Sequence, residues 1–124
     1  FDDVGRLVIV NEHVRDLVVQ QRTQIVNSTA ETTILTAGAA GVFHDLTLIT
    51  ITNASATATS ITIKDATAGT TRMILDLGAL GSNSAILIPL TKAFTQAIAA
   101  NNWTATLSSA VVTINITVQA VKNV

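Results

Sequence analysis

The chain has 124 residues, enough for one hydrophobic core; 48% of them are hydrophobic and only 12% are charged, which excludes an intrinsically disordered protein. A net charge of −1 and an aromatic content of 3% leave little with which to contact phosphates or stack bases, so nucleic-acid binding is not expected. The absence of Cys excludes disulfides and Cys-based zinc sites, and apolar runs such as Ala85 to Ile88 are far shorter than the about 20 residues of a membrane-spanning helix.

Residues 1–31 differ from the rest because they hold eight of the 15 charged residues. Arg6 to Val10 (RLVIV) predicts a short strand or an extended arm. A short helix is predicted over 12–22, with Asn11 as its N-cap. Its apolar stripe would consist of Val14, Leu17, Val18 and Ile25. The alternative is an extended segment that pairs with a sheet, and in either case this amphipathic stretch needs a partner surface.

From Thr32 onward apolar and polar residues mostly alternate, which is typical of β-strands. The predicted strands are Thr32 to Thr36, Leu46 to Thr52, Ser60 to Lys64, Thr71 to Leu77, Ala85 to Ile88, Trp103 to Ser108 and Val111 to Val121. Between Leu48 and Ile49 the apolar phase shifts, which indicates a β-bulge or a strand covered on both faces. Pro89 ends its strand or places it at a sheet edge.

Three further details of the body follow from residue type. In Asp65-Ala66-Thr67-Ala68-Gly69 we predict a turn in which the Asp side chain bonds its own backbone and Gly69 supplies a positive φ. Residues 92–100 are ambiguous, because Phe94, Ala97 and Ile98 have helical spacing in a short piece. The residues predicted to face the core are Ile61, Ile63, Met73, Leu75, Leu77, Trp103, Ala105, Leu107, Val112, Ile114, Ile116, Val118 and Ala120.

Seven or so short strands separated by turn residues predict an all-β fold, an antiparallel β-sandwich with a jelly-roll-like body. No helices alternate with the strands, which disfavours a parallel α/β sheet. The predicted organisation is an N-terminal extended or short helical arm over 1–31 and a β-sandwich body over 32–124.

Residues that could carry chemistry are sparse and scattered. His13 lies in the arm, and His44 precedes Asp45 at the start of a strand, whereas a metal site needs three or four converging ligands. Asp65 is assigned to its turn, and Asp76 is predicted to point outward, paired across a hairpin with Arg72 or Lys64. No nucleophile elbow, dinucleotide fingerprint or phosphate-binding loop is present. We therefore expect no enzyme, no cofactor and no metal.

Sugar binding is the strongest alternative from composition, because β-sandwiches often bind carbohydrate. Trp103 is the single candidate platform, and its alternation with Ala105 and Leu107 places it in the core. An exposed Trp103 in a groove with Asn101 and Asn102 would indicate a polysaccharide-binding module.

The solvent-facing residues of the body are unusual, because Thr, Ser and Asn replace Lys and Glu. The chain has 20 Thr, and residues 32–124 hold only seven charged residues. A nearly neutral, hydroxyl-rich surface is typical of a protein that is packed against other proteins.

The body also resembles a known kind of protein. The stretches that carry the resemblance are VNSTAETTILTAGAAGVFHDLTLITITNASATATSITIKDATAGTTR and, after a PL pair, ANNWTATLSSAVVTINITVQAVKN. Over roughly 26–123 the chain resembles small Thr- and Ala-rich virion proteins of tailed bacteriophages, similar to decoration or cement proteins on the capsid exterior. The resemblance implies a β-sandwich body, many copies per particle, synthesis in the host cytoplasm and binding to the major capsid protein.

The arm is the expected contact segment with the shell or a neighbouring subunit. The predicted contact residues are Arg6, Leu7, Val8, Ile9, Val10, Val14, Leu17, Val18 and Ile25. Self-association is expected as well, with a trimer as one form, since three-fold sites are common on icosahedral shells. Two alternatives stay open: a polysaccharide-binding β-sandwich module of a head fibre or tail, and a structural protein of the neck or tail. Because the first residue is Phe1 and not Met, we expect the chain to be a processed or trimmed piece.

Overall fold

The computed structural model describes residues 17–82 and 84–123, and within these ranges the chain forms eight β-strands joined by loops. The strands are β1 (Val18–Ile25), β2 (Thr32–Leu35), β3 (Phe43–Asn53), β4 (Thr59–Lys64), β5 (Thr71–Leu77), β6 (Ala85–Phe94), β7 (Trp103–Leu107) and β8 (Ile114–Asn123). The part of the chain that the structure describes contains no helix long and apolar enough to span a membrane.

The strands form two four-stranded sheets that pack face to face. The first sheet has the order β1-β8-β3-β6 and the second the order β2-β7-β4-β5, and every pair of neighbours is antiparallel. This is the strand order of an eight-stranded jelly roll, in which neighbouring strands are distant in sequence. The predicted all-β sandwich is therefore confirmed.

The loops fall into two groups, one at each end of the sandwich. Loops 26–31, 54–58, 78–84 and 108–113 form what we call the four-loop end. Backbone bonds tie them together, as in Leu80 N to Ser55 O at 2.8 Å and Ala54 N to Thr113 O at 3.1 Å. Loops 36–42, 65–70 and 95–102 form the three-loop end at the opposite side.

The core lies between the sheets and follows the alternation of the sequence. The inward residues of β4, β7 and β8 are buried as predicted, among them Ile61, Ile63 and Ile116. Trp103 is the largest fully buried side chain, and its ring meets Phe94 edge-on with centroids 6.3 Å apart. Burying one Val, Leu, Ile or Phe side chain contributes about 1.5–3 kcal/mol, so the side chains between the two sheets supply most of the driving force for folding.

The predicted irregularity in β3 is a β-bulge, one residue before the expected place. Leu46 lies opposite Ala120 and Leu48 opposite Gln119, so Thr47 is the extra residue. The Thr47 hydroxyl donates to the Gln119 carbonyl at 3.2 Å. The bulge lets both Leu46 and Ile49 face the core, which strict alternation would forbid.

The helix predicted over 12–22 is wrong where it can be compared, because Val18–Ile25 is a strand. Its eight residues pair without interruption with β8, from Val18 opposite Val121 to Ile25 opposite Ile114. The extended alternative therefore holds for these residues, which are a strand of the first sheet although they fall within segment 1–31. Residues 12–16 lie outside the described residues.

Two smaller expectations also need correction. Val112 is exposed and not in the core, because β8 begins only at Ile114. The positive φ of the β4–β5 turn belongs to Ala68 (54°) and not to Gly69. Gly69 is needed for space, because a Cβ there would lie 2.9 Å from the Ala66 carbonyl oxygen.

The segment with helical spacing, residues 92–100, is also resolved. The chain stays in β6 as far as Phe94 and then enters the loop over 95–102. Pro89 does not end its strand, and β6 is an edge strand, as its Pro allows.

Candidate functional site

Two buried carboxylates, Asp45 and Asp65, lie at the three-loop end, where they hold loops together. Asp45 Oδ1 accepts a bond from Gln96 N at 2.8 Å, and its other oxygen accepts one from Asn123. The Gln96 side chain accepts from His44 N at 2.8 Å and donates to the carbonyls of Asp65 and Asn101. Gln96 and both Asp residues are buried, so the network fixes the loop and is closed to solvent.

Asp65 does more than form its turn. Its Oδ2 accepts from Arg72 Nη1 at 3.1 Å and from Ala97 N at 2.9 Å, and not from the backbone of its own turn as predicted. The predicted pairing of Asp76 with Arg72 or Lys64 is wrong. Arg72 is engaged by Asp65 and lies 5.0 Å over the Phe94 ring. Lys64 lies opposite Thr71, whereas Asp76 lies opposite Ser60. Asp76 is exposed, as predicted.

His44 is a buried structural residue. Its side chain is 5% exposed, and among the described residues its Nδ1 has no hydrogen-bond partner. Burial lowers the pKa of His44 below its ordinary value, a shift that a hydrogen bond with the Thr36 backbone partly opposes. The His44 side chain is therefore largely shut off from solvent, which makes it poorly placed to exchange a proton with a substrate.

Trp103 provides no sugar platform. It is fully buried, and its indole N–H donates to the His44 carbonyl at 2.7 Å. Asn102 accepts from Ala37 N at 2.6 Å, and Asn101 donates to the Ala99 carbonyl at 3.0 Å. The groove that would have favoured polysaccharide binding is therefore not formed by these residues.

The geometry brings no catalytic or metal-binding set together in the described ranges. His44 and Asp45 lie near the three-loop end of the first sheet, whereas Asp76 lies near the four-loop end of the second. Among residues 17–82 and 84–123, no group of three His, Asp or Glu side chains could hold a metal ion, and no cavity opens that would hold a small molecule.

The surface that stands out instead is the four-loop end. Its loops contain a single charged residue, Glu31. Three aliphatic side chains are exposed there: Val26 (52%), Leu80 (67%) and Val112 (62%). The Glu31 carboxylate is directed away from this end. It accepts bonds from the Thr104 hydroxyl at 2.7 Å and from Ala68 N at 2.9 Å in loop 65–70 of the three-loop end, and both bonds lower its pKa. This end therefore offers an apolar, nearly uncharged patch.

The outer face of the first sheet is similarly poor in charge. Its three cross-strand rows are Gln20–Gln119–Leu48–Pro89, Arg22–Thr117–Thr50–Leu87 and Gln24–Asn115–Thr52–Ala85. Arg22 is the only charged residue in these rows. The amides bond to each other, as in Gln20 Nε2 to Gln119 Oε1 at 2.8 Å. The face runs from amides on β1 through hydroxyls to apolar side chains on β6.

The second sheet carries more charge. Its strands β4 and β5 hold Lys64, Arg72 and Asp76, and Glu31 reaches β7 through Thr104. The two outer faces of the sandwich are thus chemically different, and the first is the better suited to being covered by protein.

Only three of the predicted arm contacts are among the described residues. Leu17 is 44% exposed and Val18 is half-buried, whereas Ile25 belongs to the protein's own core. The rest, Arg6, Leu7, Val8, Ile9, Val10 and Val14, lie outside the described residues. Sequence reasoning missed the four-loop end, although the near absence of charge in its four loops was a visible signal.

Comparison with known proteins adds no assignment to this geometry. No protein-family model matches the chain, and no curated protein matches its sequence.

Proposed function

We propose that this chain is a structural protein of a tailed-bacteriophage virion, a decoration or cement protein that binds the major capsid protein on the capsid exterior and reinforces the head. Its work is mechanical and not catalytic, and it needs no cofactor. The observation that carries the proposal is the nearly uncharged surface, which comprises the outer face of the first sheet and the four-loop end with Val26, Leu80 and Val112. The resemblance of residues 26–123 to such virion proteins supplies the class of partner.

The physical logic is that of a repeated, modest contact. A specific protein interface buries at least about 1,000 Å² in total. The first-sheet face, the four-loop end and the segment before β1 would provide such an area on the shell and on neighbouring copies. Many copies acting together turn modest affinity into strong reinforcement. Because this surface would be buried against protein after assembly, it needs few charges, and its hydroxyl and amide groups would contact water before assembly.

Polysaccharide binding is not proposed, because it required an exposed Trp103 and this side chain is fully buried. Neck or tail placement uses the same surfaces, and an image of the particle separates it from decoration of the head.

The test adds purified protein to expanded phage heads that lack it and measures cosedimentation. We expect saturable binding and a higher temperature for release of packaged DNA. Full-chain Leu7→Glu/Ile9→Glu should weaken binding at least tenfold, because charge would enter the predicted contact segment. The control is Ile74→Glu, on the second sheet, where Ile74 is exposed and binding should be unchanged. Absence of binding at saturating protein would refute the proposal.

A further inference from the structure

The four edge strands of the sandwich differ in how well they are protected against pairing with another chain. Edge strands are normally blunted by Pro, charge, irregularity or short length. In β6 the edge is blunted by Pro89 and a register shift, and β2 has only four residues and a shift. Strand β5 carries Arg72 and Asp76. Strand β1 is eight residues long, has no Pro and no register shift, and carries a single charge, Arg22.

Strand β1 is long, regular and nearly uncharged. Its eight residues pair with β8 in unbroken register, and Arg22 is its single charge. Among the described residues no strand pairs with its other edge. A straight edge of this kind is a template for strand addition.

One hydrogen bond fixes which backbone groups are available there. Asn53 N donates to Ser84 O at 2.7 Å, so Asn53 bonds toward β6. Along an antiparallel strand, successive residues bond alternately to one neighbouring strand and to the other. With the registers of β3 against β8 and of β8 against β1, the direction at Asn53 therefore fixes the direction of every backbone N–H and C=O in β1. The β1 residues whose amides and carbonyls point away from β8 are Val18, Gln20, Arg22 and Gln24.

We propose that β1 pairs antiparallel with β1 of a second copy, so that the first sheets of two molecules become one eight-stranded sheet. Two identical antiparallel strands are related by a two-fold axis. Directly opposed residues must lie on the same face of the sheet, so at the axis one residue lies opposite its own copy. An axis at Arg22 would oppose two guanidinium groups, which is unfavourable. An axis at Gln21 sets Gln20 opposite the partner's Arg22 and pairs more of the strand than an axis at Thr23.

The inference goes beyond the proposed function and stands on β1 alone, so its failure would leave head binding untouched. Sedimentation of the full chain should give twice the 12.9 kDa of one chain. Gln20→Arg would oppose the partner's Arg22 and should raise the dissociation constant at least tenfold. Gln20→Glu should lower it, since it faces a guanidinium. The double variant Gln20→Arg/Arg22→Glu should restore the dimer.

The matched control is Ile74→Arg on edge strand β5, which should leave the mass unchanged. A monomer at high concentration would mean that the β1 edge is free or covered by the chain's own N-terminal segment, and it would overturn the inference. A trimer, or equal effects of Gln20→Arg and Gln20→Glu, would overturn it as well.

Discussion

Asp65 is one of two buried acidic residues that hold the three-loop end together. It is buried and holds both Arg72 and the Ala97 amide. Asp65→Asn should lower the free energy of unfolding by about 2–3 kcal/mol, because a buried charge-assisted contact is lost while Arg72 stays partly buried. Urea denaturation measures the change.

Asp76→Asn is the control for that substitution. Asp76 is exposed and lies opposite Ser60, so its loss should change the free energy of unfolding by less than about 0.5 kcal/mol. Equal effects at the two positions would mean that the Asp65 contacts are not formed in solution.

His44 should make stability depend on pH in a defined window. Burial lowers the pKa of folded His44 below its ordinary value of 6.5, so the unfolded chain takes up the proton first. The free energy of unfolding should therefore be independent of His44 above pH 6.5 and fall as the pH drops below it, toward the lower pKa of the folded state.

The measurement is urea denaturation of the chain and of His44→Gln at several pH values between 8 and 5. The groups that face His44 are Lys122, whose charge lowers its pKa, and Asp45, whose charge raises it. Because both stay in the variant, the difference between the two curves reports His44. A difference that does not change with pH would contradict the expectation.

The β4–β5 turn contains a correctable strain. Ala68 has a positive φ of 54°, which costs an L-residue about 1 kcal/mol, and its amide is held by the Glu31 carboxylate. Ala68→Gly should raise the free energy of unfolding by about 0.5–1 kcal/mol, because glycine adopts this conformation freely. Thermal unfolding measures it. Ala66→Gly, at a position without positive φ, should be destabilising, and a gain there would point to another cause.

Strand β1 shows where a sequence pattern is ambiguous. Val14, Leu17 and Val18 fit a helical stripe, but Val19, Thr23 and Ile25 fit an alternating strand equally well, and only pairing with β8 decides between them. The body strands were predictable because β4, β7 and β8 bury one face throughout, which gives a strict period of two. At Val112 the alternation continued into a loop, and no local signal marked where β8 begins.

The network at the three-loop end could not have been read from the sequence. Asp65 contacts Ala97, and Asp45 contacts Gln96, so each bond joins segments brought together only by the strand order. The bulge at Thr47 was detectable within about one residue, since it shifts the apolar phase locally. Contacts set by topology leave no such local trace.

The sandwich as a unit separates two kinds of surface. The second sheet and the three-loop end hold most of the described charges, whereas the first-sheet face and the four-loop end are almost free of them. The sequence revealed the shortage of charge, but the jelly-roll order was needed to collect the uncharged residues onto two continuous surfaces. Because the two faces differ in charge, substitutions on each face can test which of them is buried in the assembled particle.

Two matched threonine pairs distinguish the faces. Thr50 lies opposite Thr117 on the outer face of the first sheet, and Thr62 lies opposite Thr106 on that of the second. Thr50→Arg/Thr117→Arg should weaken binding to undecorated heads at least tenfold, because two charges would be desolvated in the contact. Thr62→Arg/Thr106→Arg should leave binding within about threefold, since that face already carries solvated charge. All four side chains are half-buried on the outer faces, and each pair places two arginines directly opposite each other, the first pair beside Arg22. Each double variant should therefore lower the free energy of unfolding by about 1 kcal/mol, which urea denaturation measures. Loss of binding from the second pair alone would reverse the assignment of the covered face.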